Sequence, residues 1–337
     1  MRSICFSVDE SNMKTMKCSF EFNANEDVTE KVENIFANFD DTNNKFAKVD
    51  IDFGSNKRPE NFSFNSKTTG KLQMESLKVS YFCTTDGHSP LMFSDTALLN
   101  SQISLAELEI WQYTCPDYQT FYFSENFLTD LVMLRYLNLQ YYNYDAQKFT
   151  ETSLENLESL GFSSPKMTNM TANMFPAMSK LYYLRLNNLE VTELPTGLIH
   201  NFPALKLFTS SWGNIEVVPS GVFHNMPSSQ FIDLSVNQIT SVDLTGLNSN
   251  TYISLDRNNI TQLSEANFRP YVEEILNNTN ATGYVSLKSN PLECSCDVKW
   301  LVCELAATFV FHDAVCANGT TLQDINPTHI FEQCPDN

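Results

Sequence analysis

The sequence predicts an α/β solenoid of about ten turns, with a parallel β-sheet on one face and disulfide-stapled ends. Three observations predict it. An 11-residue apolar frame recurs through the middle of the chain, Pro- and Gly-bearing turns separate its copies, and cysteines gather toward both ends.

Residues 1–45 read as an N-terminal cap, a hairpin plus a helix. "ICFSVDESNMKTMKCSFEF" (4–22) gives two strands around a polar turn, with Cys5 and Cys18 placed to bridge them. "EDVTEKVENIFANF" follows, with Val28, Val32, Ile35, Phe36 and Phe39 on one helical face. An exposed solenoid core needs such a cover at each end.

Residues 46–290 carry the repeats. The frame is clearest in "LYYLRLNNLEV" at 181, "SQFIDLSVNQI" at 229 and "NTYISLDRNNI" at 250, and degraded in "LKLFTSSWGNI" at 205 and "TGYVSLKSNPL" at 282. Upstream it continues in "FAKVDI", "MESLKV", "LAELEI", "LRYLNL" and "LESLGF". Its fourth position falls at Val49, Leu77, Leu108, Leu137, Leu160, Leu184, Phe208, Ile232, Ile253 and Val285, with spacings from 21 to 32 residues. Apolar residues at positions 4 and 6 alternate as the inward side of a short strand does. One repeat cannot bury that row alone, so the repeats must stack. Asn237, Asn258 and Asn290 follow the strand, where an amide can satisfy backbone groups freed at the bend. "LPTGLIHNFPAL" and "VPSGVFHNMPSS" suit a turn rather than a long helix.

Residues 291–337 form a cysteine-rich C-terminal cap. Its "CSCDVKWLVC" is a poor zinc site, because Cys294 and Cys296 are one residue apart and no matching pair or histidine set follows. Asp297 is placed to cap a helix whose Val298, Leu301, Val302, Leu305, Ala306 and Phe309 share one face. Two disulfides from the C-x-C to Cys316 and Cys334 would tether the loop that follows, at ~3 kcal/mol each. Cys83 and Cys115 lie six and seven residues past Leu77 and Leu108, on neighbouring turns within disulfide reach. Of nine cysteines Cys303 is then left over, a buried inert thiol or an intermolecular bridge.

The repeats resemble the leucine-rich-repeat family, whose fold is a horseshoe with the parallel sheet on its concave face. The C-terminal segment resembles the cysteine-rich cap of its extracellular members: N-P, C-x-C, D, W-L, then two later cysteines. That resemblance implies the pairing Cys294–Cys316 and Cys296–Cys334; Cys303 departs from it, standing where the family often has tryptophan. "CSCDVKWLV…CANGTTLQDINP…C" further looks like a crustacean group of secreted leucine-rich-repeat proteins, typified by the non-catalytic subunit of a deep-sea shrimp luciferase. This implies a secreted accessory subunit that associates with a small catalytic chain oxidising coelenterazine.

Bulk properties narrow the classes. Net charge is −19, from 40 acidic against 21 basic residues, which repels nucleic acid and anionic membranes. No apolar run is long enough to span a bilayer. The start "MRSICFSVDE" lacks a signal-peptide core, so the chain reads as a mature form with an added Met or as cytosolic. The cysteines favour the former, as do six sequons at Asn61, Asn169, Asn259, Asn277, Asn280 and Asn318. No G-x-S-x-G, phosphate-binding glycine loop or H-E-x-x-H is present, and no cofactor or metal is called for. His200 and His224 occupy equivalent repeat positions and belong to the repeat code.

Frame positions 3, 5 and 7 face away from the core. Position 3 reads Lys48, Ser76, Glu107, Tyr136, Ser159, then Tyr183, Leu207, Phe231, Tyr252 and Tyr284. The last five stack into one apolar, mostly aromatic ridge, either a contact surface or cross-strand reinforcement of the sheet. Trp111, Trp212, Arg185, Asp233, Asp256 and Arg257 flank it. The functional expectation is a non-enzymatic binding protein with a protein partner and no nucleic acid or membrane span. A soluble innate-recognition or receptor-like protein is the alternative, and an intrinsic hydrolase or oxidase the third class.

Overall fold

A computed structural model describes residues 2–10, 13–21, 29–37, 45–53, 63–82, 91–113, 121–123, 127–128, 130–140, 154–163, 170–224 and 226–334. The chain divides into two compact units: Met1–Lys166 with Pro176–Met178, and Met167–Phe175 with Ser179–Asn337. Among the described residues no helix is long and apolar enough to cross a membrane.

The first unit opens on an antiparallel hairpin, β1 (Arg2–Glu10) and β2 (Met13–Glu21), in which Cys5 faces Cys18 and is bonded to it. Helix α1 (Thr29–Ala37) follows. It buries Val32 and Phe36, while Ile35, expected on the same face, is only partly covered; Val28 and Phe39 lie outside the described residues. Then come β3 (Lys45–Phe53), β4 (Ser63–Phe64), β5 (Gln73–Phe82), β6 (Leu91–Phe93), β7 (Glu107–Tyr113), β8 (Phe121–Phe123), β9 (Tyr136–Gln140) and β10 (Ser159–Ser163). The main sheet runs β1-β2-β3-β5-β7-β9-β10, parallel after the hairpin, and β4-β6-β8 form a smaller one. Val49, Leu77, Leu108, Leu137 and Leu160 pair in unbroken register across five turns, and each is buried. A line of rings runs behind them, Phe20 on Phe53, Phe64, Phe93 and Phe127, with centroids 4.4 to 5.9 Å apart. Rings packed edge to face or offset at this spacing add stability beyond the apolar area they bury.

The second unit contains β11 (Tyr183–Asn187), β12 (Leu207–Thr209), β13 (Val217–Val218), β14 (Phe231–Asp233), β15 (Ser241–Val242), β16 (Tyr252–Ser254), α2 (Glu265–Leu276), β17 (Tyr284–Ser286), β18 (Phe311–His312) and α3 (Pro327–Gln333). Its main sheet runs β11-β12-β14-β16-β17-β18, and β13 pairs with β15. Leu184, Phe208, Ile232, Ile253 and Val285 again pair in register and are buried. The chain bends after each strand at frame position 8. Asn188, Trp212, Val236, Arg257 and Ser289 all take positive φ there, between 55° and 61°.

Three asparagines lock those bends. The Asn258 amide nitrogen donates to the carbonyls of Leu234 (3.0 Å) and Leu255 (2.9 Å), while its oxygen accepts the Ile239 N–H at 3.0 Å. Asn237 and Asn290 do the same one turn to either side. Each is a buried polar group with both ends of its amide used, so each of these three repeats is tied to the one before it.

Helix α2 is the largest departure from the sequence expectation. It fills the 32-residue gap between Ile253 and Val285 and buries Phe268, Tyr271, Val272 and Ile275. The Tyr271 hydroxyl donates to the Thr251 carbonyl, and Gly283 leaves the space this tyrosine occupies.

At the C-terminus the resemblance-based pairing is found: Cys294–Cys316 and Cys296–Cys334, with Cα atoms 5.6 and 5.5 Å apart. The single helix expected there is absent. A 3-10 turn (Cys296–Val298), a π turn (Trp300–Glu304) and another 3-10 turn (Thr308–Val310) replace it. Ala306 adopts φ 48°, which breaks the helical path, so Phe309 points to solvent while Val298, Leu301 and Val302 remain buried. Asp297 is not a helix cap either. Its carboxylate accepts the N–H groups of Ser295 and Leu263, and the buried Trp300 indole donates to the Leu263 carbonyl at 3.0 Å. Both polar groups of Leu263 are thereby held by the C-terminal segment. The Cys303 thiol is half-buried and donates to the Pro327 carbonyl. Cys83 and Cys115 lie outside the described residues.

Candidate functional site

The outward faces of the two units carry different chemistry. On the second unit, Tyr183, Leu207, Phe231, Tyr252 and Tyr284 stand directly opposite one another on consecutive parallel strands. All five are half-buried, since side chains on one sheet face cover each other's flanks but not their outer edges. Phe231 and Tyr252 have centroids 5.1 Å apart, and Tyr252 and Tyr284 stack at 4.4 Å. His312, which the sequence reasoning missed, extends the stack: its ring lies 4.1 Å from Tyr284 and nearly parallel to it. The signal was weak, because β18 lies outside the repeat frame and only two residues long.

Charged groups edge this column. Arg185 donates to the Tyr183 hydroxyl at 3.0 Å and sits 5.6 Å from its ring centroid. Asp233 accepts the Ser235 N–H at 2.9 Å. Asp256 accepts the Ser286 hydroxyl at 2.5 Å and the Lys288 N–H at 3.0 Å. The Tyr252 phenol is pushed above its ordinary range by burial first; a Ser254 hydrogen bond pulls it down, and Tyr284, Asp256 and Asp233 push it up again. Both carboxylates are therefore close enough to act on the Tyr252 hydroxyl, though less than burial does. Trp212 and Arg257 are placed differently. Both sit at position 8, in the left-handed bend beyond the strand, and Trp212 is 61% exposed there.

Tyr136 and Trp111 lie on the first unit. Tyr136 accepts a hydrogen bond from Asn138 at 3.3 Å, and Asn138 leans over Gly161, where a Cβ would meet its oxygen at 2.7 Å. The rest of this face is polar and charged. Lys78 pairs with Glu109 at 3.2 Å and lies 5.3 Å over the Trp111 ring, and Lys48 pairs with Asp50 at 3.5 Å. Asp52 has its carboxyl raised by burial. Lys48, Ser76, Glu107 and Ser159 complete position 3 here, so the aromatic column is a property of the second unit.

Asn259, Asn277, Asn280 and Asn318 are exposed and lie outside every strand of the second unit's sheet; Asn61 and Asn169 fall outside the described residues.

No family model matches the chain. A curated relative, the Oplophorus-luciferin 2-monooxygenase non-catalytic subunit of Oplophorus gracilirostris, is 22% identical over 287 residues, covering 81% of this chain and 77% of that one. Among solved structures, a chain of the TLR13–ssRNA13 complex superposes with a TM-score of 0.57 at 15% identity, covering 78% of this chain and 34% of its own. The fold is a leucine-rich-repeat solenoid. A chain of the mouse RP105/MD-1 complex gives a TM-score of 0.47 at 15% identity, over 83% of this chain and 46% of its own. This leucine-rich-repeat chain thus spans about a third to a half of those solved chains. It also resembles the Oplophorus-luciferin 2-monooxygenase non-catalytic subunit over most of both lengths.

Proposed function

We propose that this chain is a secreted, non-enzymatic accessory protein that holds a protein partner on the aromatic column of its second unit. The observation that carries this reading is the in-register column of Tyr183, Leu207, Phe231, Tyr252 and Tyr284, whose last three rings pack on one another and are continued by the ring of His312, which pairs with Ser286 on the next strand. Ring-on-ring contact reinforces the sheet, but it leaves the outer edge of every ring in water. A surface already ordered by its own stacking loses little side-chain entropy on binding, and Tyr and Phe bring large apolar area to it. Arg185, Asp233 and Asp256 at its margin supply directional polar contacts that select one partner. The exposed sequons lie off the strands, so glycans there would leave this face bare. The three disulfides among the described residues support an oxidising, extracellular compartment. In this reading residues 1–45 and 291–337 cap the repeats.

The relative's name makes it the non-catalytic member of a monooxygenase, so the partner proposed here is a catalytic chain of that kind. The test is intact mass spectrometry of the native protein isolated from secretion. A stoichiometric second chain, together with glycan mass on this one, is the expected result. A bare monomer, or a complex that forms only with a small ligand, would reject the accessory reading.

A further inference from the structure

The first unit has a second feature, remote in character from the aromatic column. A cleft of about 300 Å³ opens where β2, β3 and β5 begin, lined by Lys14, Lys45, Phe46, Gln73, Glu75 and Ser104 among others. Lys14 is held in place, its ammonium 4.7 Å from the Phe46 ring centroid. That contact holds the ammonium itself over the ring, and a group with three N–H donors keeps donors for a ligand on its other side. Among the described residues neither Lys14 nor Lys45 is in an ion pair, whereas Lys48, Lys67 and Lys78 each pair with a carboxylate. In a chain with 40 acidic and 21 basic residues, two lysines lining one cleft without an ion pair among the described residues run against the overall charge. Ser104 has its hydroxyl engaged by the Met74 carbonyl, which leaves the Gln73 amide as the neutral donor.

Glu75 is the discriminating residue. A carboxylate lining the same cleft as two lysines repels an oxyanion that bears only acceptors, but accepts a hydrogen bond from one that carries its own O–H. We propose that this cleft binds a hydrogen-phosphate group, with Lys14 and Lys45 on its anionic oxygens and Glu75 accepting its O–H. Sulfate matches it in size and shape but has no proton to give at neutral pH, so it is disfavoured.

The test is calorimetric titration of the full chain at constant ionic strength with inorganic phosphate, sulfate and glycerol 1-phosphate. Saturable phosphate binding is expected, weakened at least about tenfold in Lys45→Gln and in Lys14→Met, each of which removes one charge-assisted contact. Lys14→Met keeps an apolar stem over Phe46, so its folding is not in question. Glu75→Gln should bring phosphate and sulfate affinities together. Glycerol 1-phosphate, whose dianion has no P–OH at neutral pH, should bind more weakly than phosphate, and the reverse order overturns the role of Glu75. Non-saturable heats, or unchanged affinity in both lysine variants, overturn the site. Equal saturable affinity for phosphate and sulfate in the parent overturns the role of Glu75 and with it the phosphate assignment.

Discussion

Asn258→Ala removes the central member of the asparagine ladder, and the structure sets the size of the loss. The side chain makes three contacts with buried backbone, but these are not equally exposed to the change. The Leu234 carbonyl keeps its bond from Asn237 at 3.0 Å, and the Leu255 carbonyl keeps its bond from Asn290 at 2.9 Å. Only the Ile239 N–H, which donates to Asn258 at 3.0 Å, is left without a partner. One orphaned buried donor costs about 1–3 kcal/mol, and two lost bonds to still-satisfied carbonyls about 0.5 kcal/mol each. The expected destabilisation is therefore about 3 kcal/mol, a large part of a domain's ordinary 5–15 kcal/mol. Asn259→Ala, exposed and next in sequence, is the control, with a change within about 0.5 kcal/mol. Urea titration of unglycosylated protein, followed by the fluorescence of Trp300, reads both. The double variant Asn258→Ala/Asn290→Ala should lose more than the sum, because Leu255 then has no amide donor left. A loss below about 1 kcal/mol for Asn258→Ala, or strict additivity of the pair, would refute the ladder's proposed role.

Val236 holds φ at 57°, a region that penalises a β-branched residue, so Val236→Asn should raise stability by about 1 kcal/mol; an unchanged or lower melting temperature contradicts this. Gly283→Ala brings a Cβ to 2.6 Å from the Ser249 carbonyl and 2.8 Å from that of Thr251, besides the Tyr271 hydroxyl. It should cost about 1–3 kcal/mol in urea titration, and a neutral result would mean α2 shifts freely. Asp52 bears a pH signature. Burial raises its folded pKa above the ordinary 3.8, so the unfolded chain releases its proton first as pH rises, and stability falls through that window. Asp52→Asn should melt higher than the parent at pH 7, the gap closing below pH 4; a gap unchanged at pH 3 would rule this out.

The repeat frame was legible because its rule is strict. A side chain in a strand faces either in or out, and ten apolar fourth positions allow only one register, the one observed in both units. The asparagines were legible for the same reason, being tied to a fixed offset. What escaped lies outside the frame. Phe268, Tyr271, Val272 and Ile275 carry a helical period, but Pro270 sits among them and the insertion has no counterpart in other repeats. Beyond Cys294 the apolar pattern reads as one helix, yet the backbone turns at Ala306 and sends Phe309 outward. Periodicity cannot see a single left-handed residue. His312 was missed because its place in the column depends on that same turn returning the chain to the sheet.

The proposed function rests on the second unit's aromatic column as the surface that holds the partner. The most direct measurement is partner affinity, by surface-immobilised binding, for Phe231→Asp and Tyr252→Asp beside Tyr136→Asp on the first unit. A loss of at least about 2 kcal/mol, roughly 30-fold, is expected for each of the first two and almost none for the third, with all three folded by circular dichroism. Affinity unchanged in both Phe231→Asp and Tyr252→Asp would contradict it.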